Sequence, residues 1–330
     1  MTIAEYPNSA GACATKLLSL LLLLALPAAT QAQFNYTTNN GTVTITKYTG
    51  AGGAVAIPDR TNGWPVVGIG PSAFDTCSSI TTLTIPNSVT SIGDVALANC
   101  TGLTNLAIPS SVTNIGLQAF LGCTGLAEIT VEPLNSFYCS VDGVLFNTGR
   151  TTLIQYPPHR RGYYAVPGSV TRIGDDAFAC STNLTGIIIP RGVTSLGDMS
   201  FFCCYSLTTL CFQGNAPSLD GTIVFFNDTL ATVYYMPGTT NWSPKLGSLP
   251  TMLWNPQIAS SGPAFGIQAN QFGFTITGTS NLLLVVEACA DLAHPVWSAV
   301  AMKTLTNGSC YFSDPQWTNY PGQFYRLSAP

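Results

Sequence analysis

Charge is the scarcest property of this sequence. Only 8% of its 330 residues are Asp, Glu, Lys or Arg, against roughly 25% in an average globular chain. The balance is 11 basic to 15 acidic residues, a net charge of −4, and no basic cluster exceeds the pair Arg160-Arg161. Nucleic acid is therefore excluded as a partner, because it requires a basic footprint. Histidine is nearly absent too. His159 lies in a basic stretch without a neighbouring acid, and His294 precedes Pro295 in a turn. A Ser-His-Asp or Cys-His site would have to recruit one of these two. No His/Cys spacing fits zinc, and GAGG at 50–53 lacks the following helix and lysine of a phosphate loop. The expectation is no enzyme, no metal and no cofactor.

Long apolar runs are missing after the N-terminus. Lys16 precedes LLSLLLLLALPAA, and TQA offers a small-x-small cleavage site ending at Ala32. Residues 1–32 read as a secretory signal peptide. A membrane anchor is the alternative, but the run falls short of the ~20 residues a span needs. LLLVV at 282–286 is strand-sized. The mature chain is expected to be exported, with no membrane span after signal cleavage. Apolar residues make up 46%, which provides a large core and argues against disorder.

What the sequence has in abundance is one phrase. LTIPNSVTSIG at 83–93 returns as LAIPSSVTNIG at 106–116, a step of 23. Val66, Val89 and Val112 keep that step, as do Ile69, Ile92 and Ile115, then Ile173 and Leu196. Phe74, Leu97 and Phe120 keep it, and so do Phe178 and Phe201. A fixed period in many columns signals stacked rungs that share one core. In each rung, Leu83 and Ile85 alternate with threonine as a strand does, and Pro86, Pro109, Pro167 and Pro190 end it. Glycine then allows a turn, and AF-x-x-C-x-x-L, with its spacings of three, suggests a short helical or 3₁₀ turn. Cys77, Cys100 and Cys123 share a column, with Ser181 and Cys204 in the matching slot of later units. That recurrence favours packed free thiols over disulfides, although Cys289 and Cys310 could pair across strands.

These residues resemble the BspA-like leucine-rich repeats of bacterial surface proteins. The clearest copy is Ile108, Pro109, Val112, Ile115, Gly116, Ala119, Phe120, Cys123 and Leu126, and the likeness runs from about 34 to 255. It implies a mainly β leucine-rich-repeat solenoid. Its defining residues are packing residues, so it says less about function, beyond surface attachment or adhesion as an implied role.

The departures from register carry the rest. Five additional residues in DRTNGWPVVGIG form a surface loop with Trp64, and FNYTTNNGTVTITKY reads as a capping hairpin with its turn at NNG. An insertion after Val131 holds Tyr156, His159, Arg160, Arg161 and Tyr163, aromatic and basic groups placed at a hairpin tip. They form either a contact patch or an irregular rung in which the tyrosines pack and the arginines are solvated. Asp94, Asp175 and Asp198 fall in one column and read as turn caps rather than catalytic acids. Trp242 and Trp254 close the array. The expected organisation is a signal peptide over 1–32, the solenoid over 33–255, a linker over 256–263, and a small all-β sandwich-like module over 264–330. The leading function is binding of an extracellular protein or glycan. A repeat-bearing secreted hydrolase and a purely structural surface-layer component are the alternatives.

Overall fold

The computed structural model describes residues 33–280, 282–319 and 322–328, so the signal segment expected over 1–32 lies outside the described residues. The chain divides into two compact units, the first ending at Thr148 and the second beginning at Gly149. Both are built from short parallel strands stacked at the period of the repeat, a leucine-rich-repeat β-solenoid.

In the first unit, Gly53–Ala56, Ile80–Thr84, Asn105–Ile108 and Glu128–Val131 pair in parallel in that order. A second row runs Thr42–Tyr48, Trp64–Ile69, Ser91–Ile92, Asn114–Ile115. Ile69, Ile92 and Ile115 are register partners in adjoining rungs. Val89, Ile92, Leu97 and Leu103 are wholly buried, each such side chain contributing roughly 1.5–3 kcal/mol of burial. Phe34–Asn39 pairs antiparallel with Thr42–Tyr48 through Asn40 and Gly41, both left-handed, and Phe34, Tyr48 and Phe74 cluster beneath it. The DRTNGWP excursion is a hairpin, with Arg60–Thr61 paired to Trp64 and Pro65.

In the second unit, Gly162–Ala165, Leu184–Ile189, Thr209–Phe212, Thr232–Tyr235 and Leu249–Leu253 form the main parallel sheet. The second row is Thr152–Gln155, Arg172–Ile173, Ser195–Leu196, Ser218–Leu219. Phe178, Phe201 and Phe225 stack along the core at 5.1 and 5.5 Å. Toward the C-terminus, Gln257–Ala259, Gly266–Gln268 and Ser309–Asp314 all pair with Gln271–Thr277. Ser298–Thr304 and Phe324–Ser328 flank Leu283–Cys289. The segment read as a linker thus holds a strand.

The third side of each rung, expected as a short helical or 3₁₀ turn, makes only every second bond of a 3₁₀ turn within its own rung. Ala73, Asp75 and Cys77 donate to carbonyls three residues back, as in a 3₁₀ turn, while Ser72, Phe74 and Thr76 donate to Asp94, Ala96 and Ala98 of the next rung. The alternation requires left-handed residues: Ser72 and Thr76, Val95 and Asn99, Asp176 and Cys180, Met199 and Cys203 all have φ between 53° and 63°. Each costs roughly 1–2 kcal/mol, offset by a hydrogen bond that a true helix would keep within the rung. Glycine in the repeat also has another role than turning. A Cβ on Gly116 would lie 2.5 Å from the Asp94 nitrogen, and one on Gly197 the same distance from that of Asp175. Close rung contact, not left-handed backbone, is what excludes a side chain there. All ten described cysteines are free, Cys289 and Cys310 among them. The buried thiols of Cys100, Cys123 and Cys204 donate to the carbonyls of Phe74, Leu97 and Phe178.

Candidate functional site

A strand with one face inward leaves its other face for solvent or a partner. In the first unit's main sheet, Leu83, Leu106 and Ile129 point into the core. The outward positions form two columns, Thr82, Asn105, Glu128 and Thr84, Ala107, Thr130, in register across three rungs. All six are exposed. Their short side chains on paired backbone make a flat surface with one acidic group.

Not every threonine row is available. Thr90 and Thr113 donate their hydroxyls to Val67 O and Thr90 O, one rung earlier, at 3.1 and 3.3 Å. Thr104, Thr171, Thr194 and Thr208 do the same. These hydroxyls staple rung to rung. The hydroxyls of Thr82, Thr84 and Thr130 have no such partner among the described residues, which separates this face from the stapled threonine rows.

The equivalent face of the second unit is covered. Its outward column runs Ala165, Ile188, Cys211, Tyr234, Met252. Cys211 and Tyr234 are buried in one cluster with Phe274, Ile276, Leu284, Val286 and Phe312 of the C-terminal strands, and Ile188, Met252 and Trp254 pack against it. Trp254 therefore packs against the C-terminal strands, while Trp242 stacks on Tyr235 at 5.0 Å.

The residues picked out in the insertion do not share one environment. They span a crossover from Thr152–Gln155 in one sheet to Gly162–Ala165 in the other, rather than a hairpin tip; the hairpin of this insertion is Tyr138–Val141 with Val144–Asn147. Tyr156 is only 2% exposed. It packs at 4.9 Å on Tyr164 and 5.1 Å on Phe178, so its ring is out of reach of a partner. Burial raises its hydroxyl pKa, opposed by the nearby charge of Arg160. His159 and Arg161 are exposed and Arg160 is half-buried. Tyr163, 40% exposed, lies on the outward sheet face in register with Gly186, whose missing side chain admits the ring.

Residues 61–155 and 163–244, more than half of the chain, match the BspA type leucine rich repeat region in six copies. The chain belongs to this family. The matched residues hold most of the strands of both rows, leaving Thr42–Tyr48, Gly53–Ala56 and Leu249–Leu253 outside. Among solved structures, the chain is similar to a leucine-rich repeat protein from Eubacterium ventriosum, with 22% identity over 60% of this chain and 75% of the other and a TM-score of 0.37. It is also similar to a leucine rich cell surface protein from Faecalibacterium prausnitzii, with 19% identity, 63% and 88% coverage and a TM-score of 0.29. The pneumococcal vaccine antigen PcpA is 16% identical, with 62% and 86% coverage and a TM-score of 0.32. No curated protein matches the sequence.

Two acids of the repeat column act on backbone, while the third, Asp198, has its Oδ1 buried without a partner. Asp94 accepts from Leu117 N at 2.8 Å, and Asp175 from Asp198 N at 3.1 Å, each one rung on. Arg172 joins Asp175 and Asp220 in a surface ion network. His294 meets Asp291 at 3.3 Å with both exposed, and the Asp291 carboxyl is held below its ordinary range first by the Ala293 N–H, then by His294. A buried amide that sequence reasoning missed closes the first unit. Asn135 donates to Pro109 O and Val112 O and accepts from Phe137 N and Tyr138 N, all between 2.8 and 3.0 Å. Among the described residues, no group of three or more His, Cys, Asp or Glu could hold a metal, and no helix is long and apolar enough to cross a membrane.

Proposed function

We propose that this BspA-type protein is exported and non-catalytic, and that it binds an extracellular macromolecule, protein or glycan, at or outside the cell surface, with adhesion as its cellular role. The observation that carries the reading is the exposed pair of columns Thr82, Asn105, Glu128 and Thr84, Ala107, Thr130, with three unengaged hydroxyls. Repeat arrays present rigid extended surfaces of this kind to partners. His159, Arg160, Arg161 and Tyr163 form a second contact patch in this proposal, supported by their cationic and aromatic character in a chain poor in charge. The array over 33–255 is the binding part, and the module over 264–330 covers its last rungs.

Capture of extracellular-matrix proteins and glycans by the mature chain tests the reading. Combined Thr82→Val, Asn105→Ala and Thr130→Val should weaken capture without lowering Tm. Arg160→Ala with Arg161→Ala and Tyr163→Ala should weaken it separately. Capture unchanged by both sets would overturn the assignment of binding to these surfaces.

A further inference from the structure

The second unit carries a groove that the sheet-face reading does not use. It has a volume of about 970 Å³ and is lined by Arg191, Thr194, Gln213, Asn215, Thr239 and Asn241, with Met236 and Pro237 as its apolar patch. That volume lies at the upper end of the roughly 300–1,000 Å³ of small-ligand sites. The residues belong to the segments that follow three successive strands, Leu184–Ile189, Thr209–Phe212 and Thr232–Tyr235, so the groove runs across rungs.

Its chemistry is specific. Arg191 is the one charged residue in the lining, it is exposed, and it has no ion-pair partner among the described residues. The hydroxyls of Thr194 and Thr239 already donate to Thr171 O and Met236 O. Asn215 accepts from Thr240 N through Oδ1, leaving its NH₂ to donate, and the side-chain amides of Gln213 and Asn241 make no hydrogen bond within the described residues. A lone guanidinium pairs bidentately with one carboxylate, and the amides suit a row of hydroxyls, as both donors and acceptors. The Met236 and Pro237 surface suits the C–H face of a pyranose ring.

We infer that this groove binds an acidic glycan through one uronate carboxylate on Arg191, with neighbouring sugar hydroxyls on Gln213, Asn215 and Asn241. A peptide is the weaker occupant. Peptides recognised by strand addition need open backbone groups, and here the amides of Gln213, Ala216 and Met236 are already bonded to Ile189 O, Thr240 O and Phe212 O. A polyanion such as nucleic acid needs several cations, and the groove has one.

Isothermal titration of the full chain with oligogalacturonate, its carboxyl-reduced neutral form and oligoglutamate decides the matter. Oligogalacturonate should bind and weaken as salt rises, while the neutral oligomer and the peptide should not bind measurably. Arg191→Gln should lower the affinity roughly tenfold or more and leave Tm unchanged, and Arg191→Lys should retain part of it. Absent oligogalacturonate binding, equal binding of the neutral form, tighter binding of the peptide, or full affinity in Arg191→Gln each overturns the proposal. Thr82→Val with Asn105→Ala should not alter this binding. Loss there would move the glycan to the sheet face, removing the groove assignment while leaving the proposed function standing.

Discussion

Replacing Asp228 with asparagine removes a titration while keeping the shape of the side chain. Asp228 is 2% exposed. Its Oδ1 accepts from Cys204 N at 2.8 Å, and its Oδ2 is buried without a hydrogen-bond partner. Burial drives its pKa up from 3.8 to about 7, against the smaller opposing effect of the Cys204 N–H. The buried Cys204 thiol beside it is itself pushed upward, first by burial and then by the Asp228 charge, so it supplies no compensating anion or cation. The folded state thus holds the Asp228 proton more tightly than the unfolded chain does. Stability from this group is complete below about pH 4, falls as pH rises from about 4 to about 7, and is flat above. A shift of about 3 units at 1.36 kcal/mol per unit makes the fall on the order of 4 kcal/mol. Asp228→Asn keeps the acceptor for Cys204 N but leaves an unpaired buried NH₂, costing about 1–3 kcal/mol. Urea denaturation of both proteins at about pH 5 and about pH 8 gives the difference between them as a function of pH, which cancels other titrating groups. Between those pH values the wild type should lose about 2–3 kcal/mol relative to the variant, and at the higher pH the variant should be the more stable. A difference that does not vary with pH would refute the argument.

Phe178→Ala, which removes a ring stacked at 5.1 Å on Phe201, should cost about 3–5 kcal/mol in chemical denaturation. Gly197→Ala should cost about 1–3 kcal/mol, because its Cβ would meet backbone of the preceding rung. Thr113→Val should lose about 0.5–1.5 kcal/mol with its bond to Thr90 O, whereas Thr82→Val should be close to neutral; equal effects would show that the two threonine rows do not differ. Tyr234→Ser, which opens the cluster beneath the C-terminal strands, should make residues 264–330 sensitive to limited proteolysis before the rungs are cut.

The period was legible because it is written in packing residues, and packing residues have little choice. Ile92 and Ile115 must lie in adjoining layers if a 23-residue rung repeats, and they are register partners. Proline had to end strands, and the Asn40-Gly41 and Asn62-Gly63 turns follow from left-handed backbone that these residues accept. The turn after Gly93 was less legible, because a spacing of three fits both a helix and a chain that alternates between bonding itself and bonding its neighbour. Position also hid the difference between Tyr156 and Tyr163: both lie in an aromatic-basic stretch, and only the crossover between sheets puts one in the core and the other on a strand face.

The covered face, by contrast, was written in the sequence but not read there. Early rungs alternate, as in LTIP and LAIP, because one strand face meets water. Later rungs read GIIIP at 186–190, TLCF at 209–212 and VYYM at 233–236, with apolar residues on both sides of the strand. Continuous apolar strands are buried on both faces. Ile188, Cys211 and Tyr234 occupy the outward column that Thr84, Ala107 and Thr130 occupy earlier, and they meet the C-terminal strands. The change from alternating to continuous pattern therefore marks the rungs whose outward sheet face the C-terminal strands cover. The outward face of the first unit's sheet, by contrast, stays exposed at Thr84, Ala107 and Thr130.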